Sequence, residues 1–240
     1  MQLERILQSQ GFGSRKACRA MVWHGRVTAG GQPTDDPFAE FEPDGLGFGV
    51  DGEAWVYRER ATLMLHKPAG YECSCSPRHH PGVLSLLPAP LVNRGVQSVG
   101  RLDVDTTGLL LLSDDGDLIH RLISPHHQVA KVYEVTAKHP VDDTQIAALL
   151  AGVQLRDEPA PIAAAECERV DTGGDGRVIR LTLTEGKYHQ VKRMLAAAGN
   201  RVEALKRVAV GGLALPEDLA EGQWRWLEAA ELEWLLERHA

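Results

Sequence analysis

The sequence predicts an α+β protein in two parts, and three observations carry that prediction. Short helical and strand-like segments alternate without a regular βαβ rhythm, which favours a mainly antiparallel mixed sheet with flanking helices. Charge is distributed differently before and after residue 60. The run Leu109–Leu112 reads as a buried strand too short for a membrane span, set just behind the charged segment Gly100-Arg101-Leu102-Asp103. The expected division is therefore 1–60 and 61–240.

Composition bounds the problem. A chain of 240 residues with 43% hydrophobic and 25% charged residues has the make-up of an ordinary soluble protein. It has no run of about 18 apolar residues, so no membrane partner is expected. The start, Met1-Gln2-Leu3-Glu4-Arg5, lacks the apolar core and cleavage site of a signal peptide. Cys18, Cys73, Cys75 and Cys167 form no disulfide framework, which points to a reducing cytoplasm. Nothing in the sequence calls for an obligate dimer, and a monomer is expected.

In the first part, Leu3, Ile6 and Leu7 fall at helical spacing, and Gly11 to Gly13 end that helix. Ser14 is suited to cap a second helix that turns Ala17, Cys18, Met21 and Val22 inward. Arg15, Lys16 and Arg19 then face the other way, Gly25 closes the helix and Arg26 follows. Gly30-Gly31 between Val27-Thr28-Ala29 and Gln32-Pro33-Thr34 is a hairpin signal. The acidic stretch to Glu59 reads as the rest of this module plus a linker.

In the second part, Thr62–Lys67 reads as a strand stopped by Pro68 and Gly70. Lys131–Val135 and Val178–Leu183 alternate as half-buried strands. Ile146–Leu150 and Gln190–Ala198 read as helices, the latter with Val191, Met194, Leu195 and Ala198 as its apolar stripe and Gly199 as its cap. Ser113-Asp114-Asp115-Gly116-Asp117 lacks the glutamate and acid spacing of a calcium loop and reads as a hairpin turn. Cys73-Ser74-Cys75 with His79 and His80 has metal-binding residue types, but not the spacing of a zinc site, and no metal is expected.

The net charge of −7 argues against a nucleic-acid partner until its placement is considered. Residues 1–30 hold Arg5, Arg15, Lys16, Arg19 and Arg26 against a lone Glu4. Residues 31–60 carry eight acids against Arg58 and Arg60, and the segment from Glu217 to Glu237 is acidic again. A phosphate backbone senses the local patch, so the basic second helix is either a solvated face or an RNA contact.

On residue pattern alone, Arg101 and Asp103 could be a pair that merely pins a loop, Tyr133 a core tyrosine and Lys192 a solvated helix lysine. Taken jointly, the motifs say more. The N-terminal helices and hairpin resemble the S4 RNA-binding module. Behind it, Gly100-Arg101-Leu102-Asp103 with Thr107-Gly108-Leu109-Leu110, then Lys131-Val132-Tyr133, then Glu185–Met194 resemble the pseudouridine synthases of the RsuA branch over nearly the whole chain. Tyr188-His189-Gln190-Val191-Lys192-Arg193-Met194, Ser124-Pro125-His126-His127 and Gly152-Val153-Gln154-Leu155 are more similar to the members acting on small-subunit rRNA. Large-subunit relatives tend to have Asn-Arg-Gln and a second Arg in the first of these.

That resemblance implies an isomerase that breaks the N1–C1′ glycosidic bond of a uridine, turns the base and rejoins it through C5, without cofactor or metal. It implies that Asp103 is the essential aspartate, acting as a nucleophile or as a base on the 2′ proton. Lys192 would supply the cation that favours its ionised form. Arg101 would help displace the target base and hold the nearby phosphate, and Tyr133 would stack under the flipped uracil. Arg15, Lys16, Arg19, Arg26, Lys131, His189, Gln190 and Arg193 are expected to touch RNA, with 16S rRNA or a small-subunit assembly intermediate as partner. A 23S rRNA enzyme of the same family and a non-catalytic assembly factor are the alternatives. The Cys73-Ser74-Cys75 loop is expected beside the RNA cleft.

Overall fold

The computed structural model describes residues 1–170 and 174–236, so Glu237, at the end of the expected acidic tail, lies outside the described residues. These residues form two compact units: Met1–Thr62 with Leu84–Gln97 and Leu112–Asp115, and Leu63–Val83 with Ser98–Leu111 and Gly116 onward.

In the first unit, α1 (Leu3–Ser9) and α2 (Arg15–Trp23) form where the apolar spacing places them, and the Ser14 side chain caps α2 by accepting from the Ala17 N–H. Strands β1 (Val27–Ala29) and β2 (Gln32–Pro33) make the expected hairpin. Its two-residue turn needs left-handed backbone at both positions, and Gly30 and Gly31 have φ of +58° and +79°. Part of the stretch read as linker is strand: β3 (Gly47–Val50) and β4 (Glu53–Val56) complete a four-stranded sheet of order β2-β1-β3-β4. Leu3, Leu7, Cys18, Val22, Val27, Phe48 and Val50 bury one core between helices and sheet. The returning segments are held by Arg94, which follows a short helix α3 (Ala89–Asn93). Its guanidinium is nearly buried and bonds Asp114 at 2.6 Å, Gln10 at 3.0 Å and the carbonyl of Arg58 at 3.1 Å.

The remaining elements complete a larger sheet. They are β5 (Thr62–Lys67), β6 (Gln97–Ser98), β7 (Thr107–Ser113), α4 (Gly116–Ile123), β8 (Lys131–Ala137), α5 (Asp143–Ala151), β9 (Glu166–Arg169), β10 (Val178–Leu183), α6 (Gln190–Ala197), β11 (Val202–Val210), β12 (Leu213–Ala214), β13 (Trp224–Trp226) and α7 (Ala229–Leu236). The strand order is β13-β5-β7-β11-β8-β10-β9, with β12 on β11 and β6 on β7. The β8–β10, β9–β10, β11–β12, β8–β11 and β5–β13 ladders are antiparallel, whereas β11 pairs with β7 in parallel over two residue pairs. Met64, Leu109, Leu111, Leu122, Val210 and Leu213 are among the residues that form the core beside it.

Two expectations need correction. Asp115-Gly116 is not a hairpin turn, because β7 is followed by α4. The Asp115 N–H donates to Ser113 Oγ at 3.0 Å, and Leu118, Ile119 and Leu122 pack onto the core, so tertiary burial selects a helix where the local signal favours a turn. Strand β11, at the centre of the sheet, was not among the expected strands. Register shifts between Val202 and Ala204 and between Arg207 and Ala209 break the two-residue period by which strands are recognised.

Candidate active site

Asp103 lies on the loop between β6 and β7, and the fold spends a buried lysine on holding that loop. Lys67, at the end of β5, is fully buried. Its Nζ donates to the carbonyls of Pro68 and Thr106 at 2.9 Å each and of Val104 at 3.3 Å. The Val104 carbonyl also accepts from the Gly70 N–H at 2.7 Å. Burial lowers the Lys67 pKa below the ordinary lysine value, with nearby Cys73, Asp105 and Asp103 opposing the shift. On the other flank, Gly108 sits at φ +105° against β11. A Cβ there would come within 2.2 Å of the Arg207 carbonyl oxygen, so only glycine permits this approach. Buried Arg207 in turn donates from Nε to the Leu109 carbonyl at 2.8 Å.

Helix α6 presents the second half of the site. Lys192, in its first turn, places Nζ 3.0 Å from Asp103 Oδ2 and 2.6 Å from Asp105 Oδ1. Burial alone would lower the Lys192 pKa. Its hydrogen bonds to Asp105 and Asp103 outweigh that effect, and the net shift is upward. Conversely, desolvation pushes Asp105 up, and the Lys192 contact more than reverses it. His189, capping α6 in a left-handed conformation, holds Nε2 3.5 Å from Asp103 Oδ1. Arg101 is exposed, and among the described residues no ion pair joins it to Asp103. The carboxylate's ammonium partner is thus Lys192, and the loop-pinning Arg101–Asp103 pair is not formed.

These groups surround a cavity of about 800 Å³, which Arg101, Asp103, Asp105, Lys131, Tyr133, His189, Gln190 and Lys192 line together with Leu102, Leu183, Val191 and Leu205. That is the size and mixed apolar and polar character of a small-molecule or nucleotide pocket. Tyr133 is largely buried in its wall. On the same strand face, Lys131 donates to the Val129 carbonyl at 2.8 Å. Its pKa is pushed down to about 8 by burial and by Arg207. Gln190, expected at RNA, is buried instead. Its amide donates to Glu185 at 3.1 Å and accepts from the Lys187 N–H at 2.9 Å, so it shapes the loop before α6. Arg193 donates to the Tyr188 carbonyl at 3.2 Å. The Cys73-Ser74-Cys75 loop does border the cavity through Cys73 and Ser74. Cys73 Sγ accepts from the Leu102 N–H at 3.4 Å. The Glu72 carboxylate accepts from the backbone of Arg78, His79 and His80, so this segment is tied by hydrogen bonds. Among the described residues no group of three or more His, Cys, Asp or Glu is placed to hold a metal ion.

Of the basic residues of the first unit, Arg15 and Lys16 are exposed. Arg19 is paired with buried Glu4, donating from Nε and from Nη2, the latter at 3.1 Å. Arg26 forms a two-pronged pair with Asp51 at 2.7 and 2.5 Å. Sequence reasoning missed Lys67, Asp105 and Arg207. Asp105 was legible as a second carboxylate in the same motif, whereas the other two carry no local signal.

The family described as RNA pseudouridylate synthase matches residues 61–197. An uncharacterized RNA pseudouridine synthase, YtzG, of Bacillus subtilis is 40% identical over the full length of both chains. The ribosomal small subunit pseudouridine synthase A of Escherichia coli is 37% identical over 97% of this chain and 98% of its own. A crystal structure of a pseudouridylate synthase superposes with a TM-score of 0.69 at 35% identity, covering 98% of this chain and 99% of that one. The chain belongs to the RNA pseudouridylate synthase family, in its RsuA-type branch. It is an enzyme that isomerises uridine in RNA. No helix among the described residues is long and apolar enough to cross a membrane.

Proposed function

We propose that this enzyme converts one uridine of 16S rRNA, free or within a small-subunit assembly intermediate, to pseudouridine, with Asp103 as the essential group. The observation that carries the catalytic assignment is the Asp103 carboxylate held 3.0 Å from Lys192 at the edge of a cavity walled by Tyr133. Lys192 compensates the charge that a partly desolvated carboxylate must keep. Attack at C1′ and removal of the 2′ proton both begin from that ionised carboxylate. The flipped uracil stacks on Tyr133, and Arg101, exposed at the rim, helps displace the target base and holds the nearby phosphate. A paired uridine is hidden in the A-form stack, so the substrate is looped or single-stranded RNA. Support for the small-subunit target comes from relatives named for that activity and from the His189 and Lys192 pattern.

Residues 1–60 act as an S4-like RNA-binding module ahead of a catalytic domain over 61–240, and Arg15 and Lys16 reach phosphates. Lys131, His189 and Arg193 contribute contacts on the catalytic side. The enzyme works as a cytoplasmic monomer without metal or organic cofactor, in keeping with its four unpaired cysteines.

The test is pseudouridine mapping of total rRNA, by carbodiimide labelling and primer extension, in cells with and without the protein. Loss of a single 16S signal, restored by the wild-type chain but not by Asp103→Asn, is the expected result. A lost 23S signal would overturn the target, and an Asp103→Asn chain that restores modification would overturn the site.

A further inference from the structure

The loop before α6 carries a feature that the roles of Asp103 and Lys192 leave unused. The Tyr188 ring stacks on the His189 imidazole, with centroids 3.8 Å apart and planes within 20°. One face of the phenol is therefore covered, yet Tyr188 remains 76% exposed, which leaves its other face open to solvent. Both rings line the cavity that holds Asp103, and the His189 ring lies 3.5 Å from that carboxylate. An open aromatic face thus stands one ring away from the reacting group.

The backbone beneath it is fixed before anything binds. Gln190 ties Glu185 to the Lys187 N–H, Lys187 bonds Glu158 at 2.7 Å, and Arg193 holds the Tyr188 carbonyl. His189 keeps φ at +48°, a strained value for a residue with a side chain, and that strain aims the pair at the cavity.

We propose that the Tyr188–His189 stack is a platform for the base adjoining the target uridine in the RNA strand, a specificity element that rests on the reading of Asp103 given above. When a uridine leaves its stack, the neighbouring base loses a stacking partner, and the open face of Tyr188 replaces it. Every base has a π-face, so the platform accepts any neighbour and favours a purine for its larger area.

The test uses the full-length protein and synthetic RNA strands containing the mapped uridine, each with one abasic nucleotide on one side of it. Tyr188→Ala is expected to raise Kd about 5- to 100-fold and to act mainly on KM rather than on the rate at saturating RNA, while Tyr188→Phe stays within about two-fold of wild type. An abasic nucleotide on one side should impose that same loss on the wild type and none further on Tyr188→Ala; on the other side it should cost both proteins equally. Unimpaired binding by Tyr188→Ala, or losses that add in full at both positions, would overturn the platform while leaving the enzyme's assignment standing. A wild-type chain that modifies no RNA would overturn both readings.

Discussion

Lys192 is shared between two carboxylates, so its substitution is a direct test of the proposed site. Lys192→Met leaves Asp103 beside Asp105 with no ammonium between them. The single-turnover rate is expected to fall about 100-fold or more, the usual effect of removing a placed electrostatic partner. A rate within about three-fold of wild type at saturating RNA would show that the pair is only structural. Lys131 supplies a pH dependence. With its pKa near 8, it carries its charge below that pH and loses it above. RNA affinity should therefore weaken about two- to five-fold between pH 7 and pH 9 at low salt, and Lys131→Gln should remove that change. Stability moves oppositely: from about pH 8 to the ordinary lysine value the unfolded chain binds the proton more tightly, so this residue's contribution to stability rises with pH. Equilibrium unfolding of wild type and Lys131→Gln across that window checks the sign.

At the level of elements, the Asp103 loop depends on contacts made by β5 and β11. Lys67→Met removes the lysine donor from the carbonyls of Pro68 and Thr106 and one of two donors from that of Val104, and is expected to cost about 2–4 kcal/mol, read by denaturant unfolding. Gly108→Ala forces a side chain into left-handed backbone and against the Arg207 carbonyl, for a loss of about 2–4 kcal/mol. About half of the elements were visible from periodicity and punctuation: α1, α2 with its Ser14 cap, the Gly30-Gly31 hairpin, β5, β7, β8, β10, α5 and α6. Two that were not visible share a cause. Strand β11 is bulged, and α4 follows a strong local turn signal, so in both the tertiary core overrides the local pattern.

For the molecule as a whole, the charge asymmetry carries the argument about RNA, and the ion pairs refine it. Arg19 serves buried Glu4, so replacing it tests the fold as well as the RNA contact. Arg15→Gln with Lys16→Gln isolates the contact. This double variant should weaken RNA binding and make the salt dependence shallower by about one to two counterions, while melting like the wild type. An unchanged salt slope would remove the basic face of α2 from the RNA interface.

The sequence by itself determined the α+β class, the helices and hairpin of the first segment, and the three motifs that mark a pseudouridine synthase. All of these rest on local periodicity, turn chemistry or contiguous residue patterns, which linear order preserves. Only the tertiary structure decided that Lys192 bridges Asp103 and Asp105, that Lys67 holds the Asp103 loop through its carbonyls, that Gln190 shapes a loop, and that Arg19 is engaged by Glu4. Each of those is a contact between side chains and groups far apart in sequence or across a turn, and its energy depends on burial and distance, which exist only once the chain has folded.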